Sequence, residues 1–312
     1  MLEETNDYEC WIGEAEPSWQ SQFIVLLMRF FRIKQRKASV KAVKKRLERL
    51  KSNPVSYTPT GLGRGINIKL KNSKGWPIYY TVPSSNPNNG NYIIFIHGGG
   101  YIDEIVKGHW QIIGELTRRS KNCCIVPIYP LAPKATAKEV VPLMAEIIGE
   151  VLENAGSAKV CIVGNSAGAG LALAAAQFLR DNGCKQPEKL ILISPALNAS
   201  QIRPEQYSIE KEDPLLDIEG ALEGARLYAG DLNLSHPFIS PLNGSFRGLP
   251  SMLIFSGTLD FLYPDSIDLA KKAKAAGVYA ELYLKKAQPH NYPAMPTPEG
   301  REALDIIIKA VQ

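Results

Sequence analysis

The stretch Val160-Cys161-Ile162-Val163-Gly164-Asn165-Ser166-Ala167-Gly168 decides how this chain is read. Val160 to Val163 form a continuous apolar run, which suits a strand buried on both faces. The alanine-rich run from Leu171 to Leu179 suits a helix. Between them lies G-x-S-x-G, with Ser166 at the bend, the pattern of a nucleophile elbow. The requirement is steric. A strand and a helix joined by so tight a turn approach closely at the residues two before and two after the serine, so neither should carry a Cβ. Gly164 and Gly168 meet that need. An ordinary glycine-rich strand-to-helix turn is the plainer alternative.

A second motif strengthens the first. His97-Gly98-Gly99-Gly100 follows the apolar run Tyr92 to Ile96. Three glycines let the backbone approach a ligand and turn its N–H groups into a cavity. A negative oxygen developing on an ester carbon needs such fixed donors. A phosphate-cradling loop would place Lys-Ser/Thr after the glycines, and none follows. Gly99, Gly100 and Ala167 are the expected donors.

Further out, strand and helix patterns alternate. Cys123 to Ile128, Lys159 to Val163 and Leu190 to Ile193 read as strands, separated by helices near 108–120, 137–154 and 166–182. Gly65 to Leu70 and Ile78 to Val82 alternate with a period near two, and Asn86 to Gly90 reads as a turn. After residue 248 come a strand at 251–256, a helix at 264–276, a strand at 279–284 and a helix at 299–311. Such alternation predicts an α/β fold with a mostly parallel sheet covered on both faces. Residues 200–247 are rich in Pro, Gly and acids, lose the rhythm, and read as an insertion over the sheet's edge.

Taken together, the two motifs resemble the hormone-sensitive-lipase-like branch (family IV) of the α/β-hydrolases. Tyr129-Pro130-Leu131-Ala132-Pro133-Lys134, Ser240-Pro241-Leu242, Gly257-Thr258-Leu259-Asp260 and Pro289-His290-Asn291 fall where that family has its other blocks. The likeness spans about residues 75–312. It departs at Asn165, where Asp is common, and at Ala169, where another glycine is usual, so the hydrogen bonds at the elbow can differ. The resemblance implies an α/β-hydrolase core from 54–199 and 248–312, with a helical cap from residues 1–53 and the insertion 200–247. It also implies a serine carboxylic-ester hydrolase working through an acyl-enzyme, without metal or organic cofactor, and it accommodates a homodimer through the last strand and helix. An amide or formamide hydrolase with the same triad, and a non-catalytic binding protein on this scaffold, are the alternatives.

A serine hydroxyl needs a base, and only four histidines are available: His97, His109, His236 and His290. His97 lies in the glycine loop and would orient it. In this fold the triad runs Ser, then acid, then His. His236 and His290 follow Ser166, but only His290 also follows a plausible acid at a strand end. That acid is Asp260, just past the strand 251–256. Asp265, beside Pro264 at a helix start, is its rival, although the helix dipole explains a carboxylate there. Asp213 and Asp217 read as solvated acids of the insertion.

Composition narrows the rest. The 312 residues are 45% hydrophobic and 21% charged, which excludes a disordered chain, a fibre and a coiled coil. No apolar run approaches the roughly 18–20 residues of a membrane span. Five cysteines without paired spacing argue against a disulfide framework; Cys123 and Cys124 read as reduced core residues, and the compartment as cytoplasmic. The net charge of +5 is uneven: residues 1–28 hold six acids and no Lys or Arg, and residues 29–51 hold eleven Lys or Arg against Glu48 alone. The remaining residues contribute +1, so the body offers no basic face to nucleic acid. Within the basic segment Val40, Val43, Leu47 and Leu50 share a helical face, with Asn53-Pro54 as the stop. Two readings of this segment stand side by side. The helix packs over the site's mouth as part of the cap, or it (or the stretch Phe23–Phe31) docks peripherally on an anionic membrane.

Overall fold

The computed structural model describes residues 9–13, 15–52, 57–85 and 90–312. The Asn53-Pro54 stop and most of the expected turn at 86–90 lie outside them. Among the described residues nine strands form one sheet: β1 (Glu9–Gly13), β2 (Ile66–Ser73), β3 (Trp76–Pro83), β4 (Tyr92–Ile96), β5 (Cys123–Pro127), β6 (Val160–Asn165), β7 (Lys189–Ile193), β8 (Ser251–Gly257) and β9 (Ala280–Lys285). Their order is β1-β9-β8-β7-β6-β4-β5-β3-β2. Among the described strands β3 alone runs opposite to the rest, pairing antiparallel with both β5 and β2. The expected strands are all present. β1 is an addition: it lies in a segment read as mostly helical and pairs in parallel with β9 at the sheet's edge.

Ten α-helices are described: α1 (Trp19–Phe30), α2 (Ile33–Lys37), α3 (Val40–Ser52), α4 (Lys107–Ser120), α5 (Ala137–Asn154), α6 (Ala167–Asp181), α7 (Pro204–Glu212), α8 (Ile218–Ala229), α9 (Tyr263–Ala275) and α10 (Pro298–Ala310). The continuous apolar strands follow from burial on both sides. Ile94, Ile96 and Ile162 point into one core with side chains of α5, α6 and α9. Ile93, Phe95, Cys161 and Val163 point into the other with α4 and α10. Fully burying each such side chain contributes about 1.5–3 kcal/mol, so the central strands are held rigidly. That rigidity matters because the elbow sits at the end of β6.

The stretch 200–247 is not without regular structure: it contains α7 and α8. Helix α8 packs against α3 and α5, with Val43 of α3 buried. A Cβ on Gly224 of α8 would lie 2.6 Å from the Gly100 carbonyl oxygen, so α8 rests directly on the glycine loop. Arg203 at the start of α7 pairs with Asp265 (3.0 Å) and Asp268 (2.9 Å) of α9. Burial still pushes Asp265 up to about 7 despite that cation. Ion pairs Arg29–Glu212 (2.9 Å) and Lys34–Glu210 (2.6 Å) tie α1 and α2 to α7. Residues before 53 and residues from 200–247 therefore touch one another above the sheet.

Candidate active site

Ser166 sits between β6 and α6 with φ +53° and ψ −125°. A non-glycine residue held there costs on the order of 1–3 kcal/mol, and the surrounding backbone enforces it. Ser166 N–H donates to the Ile193 carbonyl (2.8 Å), and the Ser166 carbonyl accepts from Ala169 (3.0 Å) and Ala196 (3.2 Å). A Cβ on Gly168 would overlap the Ile96 and His97 carbonyls, and one on Gly164 would lie 2.7 Å from Ala169 Cα. Both obstacles are backbone and cannot swing aside. As the first residue of α6, Ala167 has an N–H without an intrahelical acceptor, and it lies beside the serine.

The glycine loop reaches the elbow from β4. Gly98 N–H donates to Asn165 Oδ1 (2.9 Å), and Asn165 Nδ2 lies 3.3 Å from His109 Nε2. Asn165 thus performs the tie between loop and elbow without a carboxylate. Gly99 and Gly100 take φ +127° and +59°, the left-handed region where glycine is at ease. His97 is buried; its Nδ1–H donates to the Gly98 carbonyl (2.8 Å), and its ring stacks on Tyr129 at 4.4 Å. Tyr129 O–H donates to the His97 carbonyl (2.7 Å). Burial pulls His97 down to about 4. Burial, with His97 nearby, pulls His109 down to about 3. Both rings are therefore neutral near pH 7 and brace the loop rather than trade protons.

From the far end of the chain, His290 arrives on the loop after β9, and Asp260 lies just past β8. Ser166 Oγ–H donates to His290 Nε2 (2.9 Å), and His290 Nδ1–H donates to Asp260 Oδ2 (2.7 Å). Asp260 is fully buried, and its Oδ1 accepts from Leu262 N–H (3.0 Å). The two loops are laced together: Ala287 N–H donates to Thr258 Oγ1 (2.8 Å), Leu259 N–H to the Gln288 carbonyl (3.0 Å), and Asn291 N–H to Ser194 Oγ (2.9 Å). Asp265 contacts Arg203 instead of His290. His236 lies in the stretch 200–247, where its Nδ1 accepts from Phe238 N–H (3.1 Å).

Asp213 departs from expectation. It is not a solvated acid but is 3% exposed. Its Oδ2 accepts from Phe261 N–H (3.1 Å), and its Oδ1 from Leu215 (2.8 Å) and Leu216 (2.9 Å). Burial first, then the neighbouring Asp260 charge, raises it to about 6. Asp217 is half-buried and caps α8 by accepting from Gly220 N–H (2.8 Å). Burial works against a charged His290, but the Asp260 charge and hydrogen bond, with Asp213 behind them, leave its pKa raised above the ordinary value.

Ser166, His290, Gly99, Gly100 and Ala167 line one end of a cleft of about 1330 Å³ whose walls include α3 and α8. Among the described residues no group of three His, Cys, Asp or Glu side chains could hold a metal ion.

A family profile described as the alpha/beta hydrolase fold matches residues 93–294. The chain belongs to the α/β-hydrolase fold family. Relatives named esterase, lipase and acetyl-hydrolase make it an esterase- and lipase-type hydrolase. An esterase of Acinetobacter venetianus is 30% identical over 216 residues, covering 68% of this chain and 71% of that protein. A triacylglycerol lipase of Mycobacterium tuberculosis is 33% identical over 204 residues, covering 65% of this chain but only 42% of the lipase. In fold, the hydrolase overlays a solved structure titled as a hormone-sensitive lipase from a metagenome library with a TM-score of 0.82, at 24% identity over 95% of this chain and 98% of that one. No helix among the described residues is long and apolar enough to cross a membrane.

Proposed function

We propose that this hydrolase cleaves carboxylic esters through an acyl-enzyme, with Ser166 as nucleophile, His290 as base and Asp260 as the acid that holds the imidazole. The observation that carries the reading is the continuous Ser166–His290–Asp260 hydrogen-bond relay of 2.9 and 2.7 Å beside three N–H groups. His290 Nε2 takes the Ser166 proton as Oγ bonds to the carbonyl carbon, and the carbonyl electrons move to oxygen. The N–H groups of Gly99, Gly100 and Ala167 stabilise that oxygen; losing one such donor costs about 3–4 kcal/mol of barrier. The imidazolium returns its proton to the departing alkoxide. Water, deprotonated by the same ring, then releases the acid and restores Ser166. Asp260 fixes the ring with its proton on Nδ1 and stabilises the imidazolium as it forms. We read α1–α3 with α7 and α8 as the cap, and place the enzyme in the hormone-sensitive-lipase-like branch. The relatives named esterase, lipase and acetyl-hydrolase lend nothing to the amide-hydrolase or binding-protein readings.

A serine-directed fluorophosphonate is the direct test. One equivalent is expected to add to the intact protein and to map to the peptide holding Ser166. Unlabelled protein, or an adduct elsewhere, removes the nucleophile from the account.

Asp213 gives a pH signature. His290 acts as base only when neutral, so kcat/KM should rise with pH through its raised pKa. Asp213 is among the charges that raise it. Asp213→Asn is expected to shift the acid limb of the kcat/KM profile to lower pH. An unmoved limb would mean that Asp213 serves only the Phe261, Leu215 and Leu216 backbone bonds.

A further inference from the structure

Helix α1 carries its apolar side outward. Trp19, Phe23, Leu26, Leu27 and Phe30 recur three and four apart, which puts them on one helical face, and Phe31 follows at the end. Trp19 is 71% exposed and Phe30 76%. The side turned to the body is narrower: Val25 is buried there, and polar groups hold the start of the helix. Ser18 and Ser21 hydroxyls each donate to Glu299 Oε2 (2.8 Å), and Ser21 Oγ lies 3.2 Å from Gln288 Oε1. A surface helix of a globular protein ordinarily turns its broadest apolar face to the core. Half of the large hydrophobic side chains exposed among the described residues fall within these thirteen positions.

What the chain places next to this face identifies its partner. Arg29 and Arg32 adjoin it, and Arg36, Lys37, Lys41, Lys44, Lys45 and Arg49 follow on α2 and α3, all exposed. Between residues 29 and 49 the one acid is Glu48. An aromatic face that needs a low-dielectric boundary, beside a dense run of cations, matches a bilayer surface bearing anionic lipid. A second copy seated on the same face would set the two cationic runs against each other, a costly juxtaposition.

We infer that α1 docks on an anionic lipid bilayer, its aromatic face sunk at the headgroup–acyl boundary and the cations of α1–α3 on the lipid phosphates. Ile33, two residues beyond Phe31, already lines the cleft, as do Arg36, Lys37 and Lys41. Docking therefore brings the cleft's mouth to the lipid surface. The inference concerns binding and stands whether or not the proposed chemistry does.

Co-sedimentation of the full chain with phosphatidylcholine vesicles, with and without phosphatidylglycerol, is the test. Binding is expected only with phosphatidylglycerol, and on the order of tenfold weaker at high salt, because the cations act within a Debye length of the surface. Phe23→Ser/Phe30→Ser is expected to weaken binding by about tenfold or more while its melting transition shows a folded chain. Arg32→Glu/Lys44→Glu, which leaves the aromatic face intact, is expected to lose the preference for phosphatidylglycerol. Equal binding to neutral vesicles, no binding to either, or a lipid-free dimer that Phe23→Ser/Phe30→Ser dissolves would each overturn the proposal.

Discussion

Ser166→Ala is expected to lower kcat on a short p-nitrophenyl ester by about 10⁵–10⁶-fold, with little change in melting temperature. The size follows from what remains. Without Oγ there is no covalent path, so only the donors of Gly99, Gly100 and Ala167 and substrate binding can assist direct attack by water. In comparable enzymes these are worth about 10³–10⁴ over the uncatalysed reaction. The fold should tolerate the change because the strained φ of +53° is imposed by the backbone bonds of residue 166 to Ile193, Ala169 and Ala196, none of which uses the side chain. Alanine keeps the same Cβ and strain. The measurement is steady-state turnover of purified variant, with fluorophosphonate labelling to exclude traces of native enzyme. Turnover within tenfold of native would place the nucleophile elsewhere.

The elbow was legible because its constraint is local. Gly164 and Gly168 stand at fixed offsets from Ser166, and the backbone that forbids a side chain at Gly168 belongs to β4, itself an unbroken apolar run. The strands from β4 to β8 could likewise be read, since burial on both faces leaves a continuous apolar signature, whereas β9 shows alternation, buried at every second residue. His290 could be reached by elimination among four histidines once chain order was considered. Asp213 could not. It stands in Glu210-Lys211-Glu212-Asp213-Pro214, a string that looks solvated, and two of its neighbours are indeed exposed. Its burial comes from where α7 ends, over the loop that carries Asp260 and Phe261, a tertiary fact with no local trace.

Helix α7, in the stretch 200–247, escaped for a related reason. In α7, Pro204-Glu205-Gln206-Tyr207-Ser208-Ile209-Glu210-Lys211-Glu212 has no apolar period to detect, and ion pairs from Arg29, Lys34 and Arg203 fix its place. β1 is five residues long and joins the sheet only through β9, too short for periodicity to distinguish it. In α1 the period was visible but its direction was not. Apolar spacing marks a face without saying whether the core or a lipid surface will cover it. The Ser18 and Ser21 contacts with Glu299 and the burial of Val25 mark the inward side, and Trp19 and Phe23 are left exposed.

Asp260→Asn is the sharper test of how the relay works, because it changes one proton while keeping the shape. The native carboxylate accepts from His290 Nδ1–H and from Leu262 N–H. If the asparagine oxygen keeps the Leu262 bond, its NH₂ turns toward His290 and can only donate. The ring must then carry its proton on Nε2, where it can no longer accept from Ser166. A loss of about 10⁴-fold in kcat is expected near neutral pH, with KM much less affected. Two further consequences separate this from simple misfolding. Removing the charge and hydrogen bond that raise His290 should lower its pKa, so that any residual activity has its acid limb at lower pH. The same removal should let Asp213 fall from about 6, since the Asp260 charge helps hold it up. Combining Asp260→Asn with Ser166→Ala should cost almost nothing beyond Ser166→Ala alone, because residues that act as one unit do not contribute additively. Additive losses would show that Asp260 stabilises something other than the imidazole that serves Ser166.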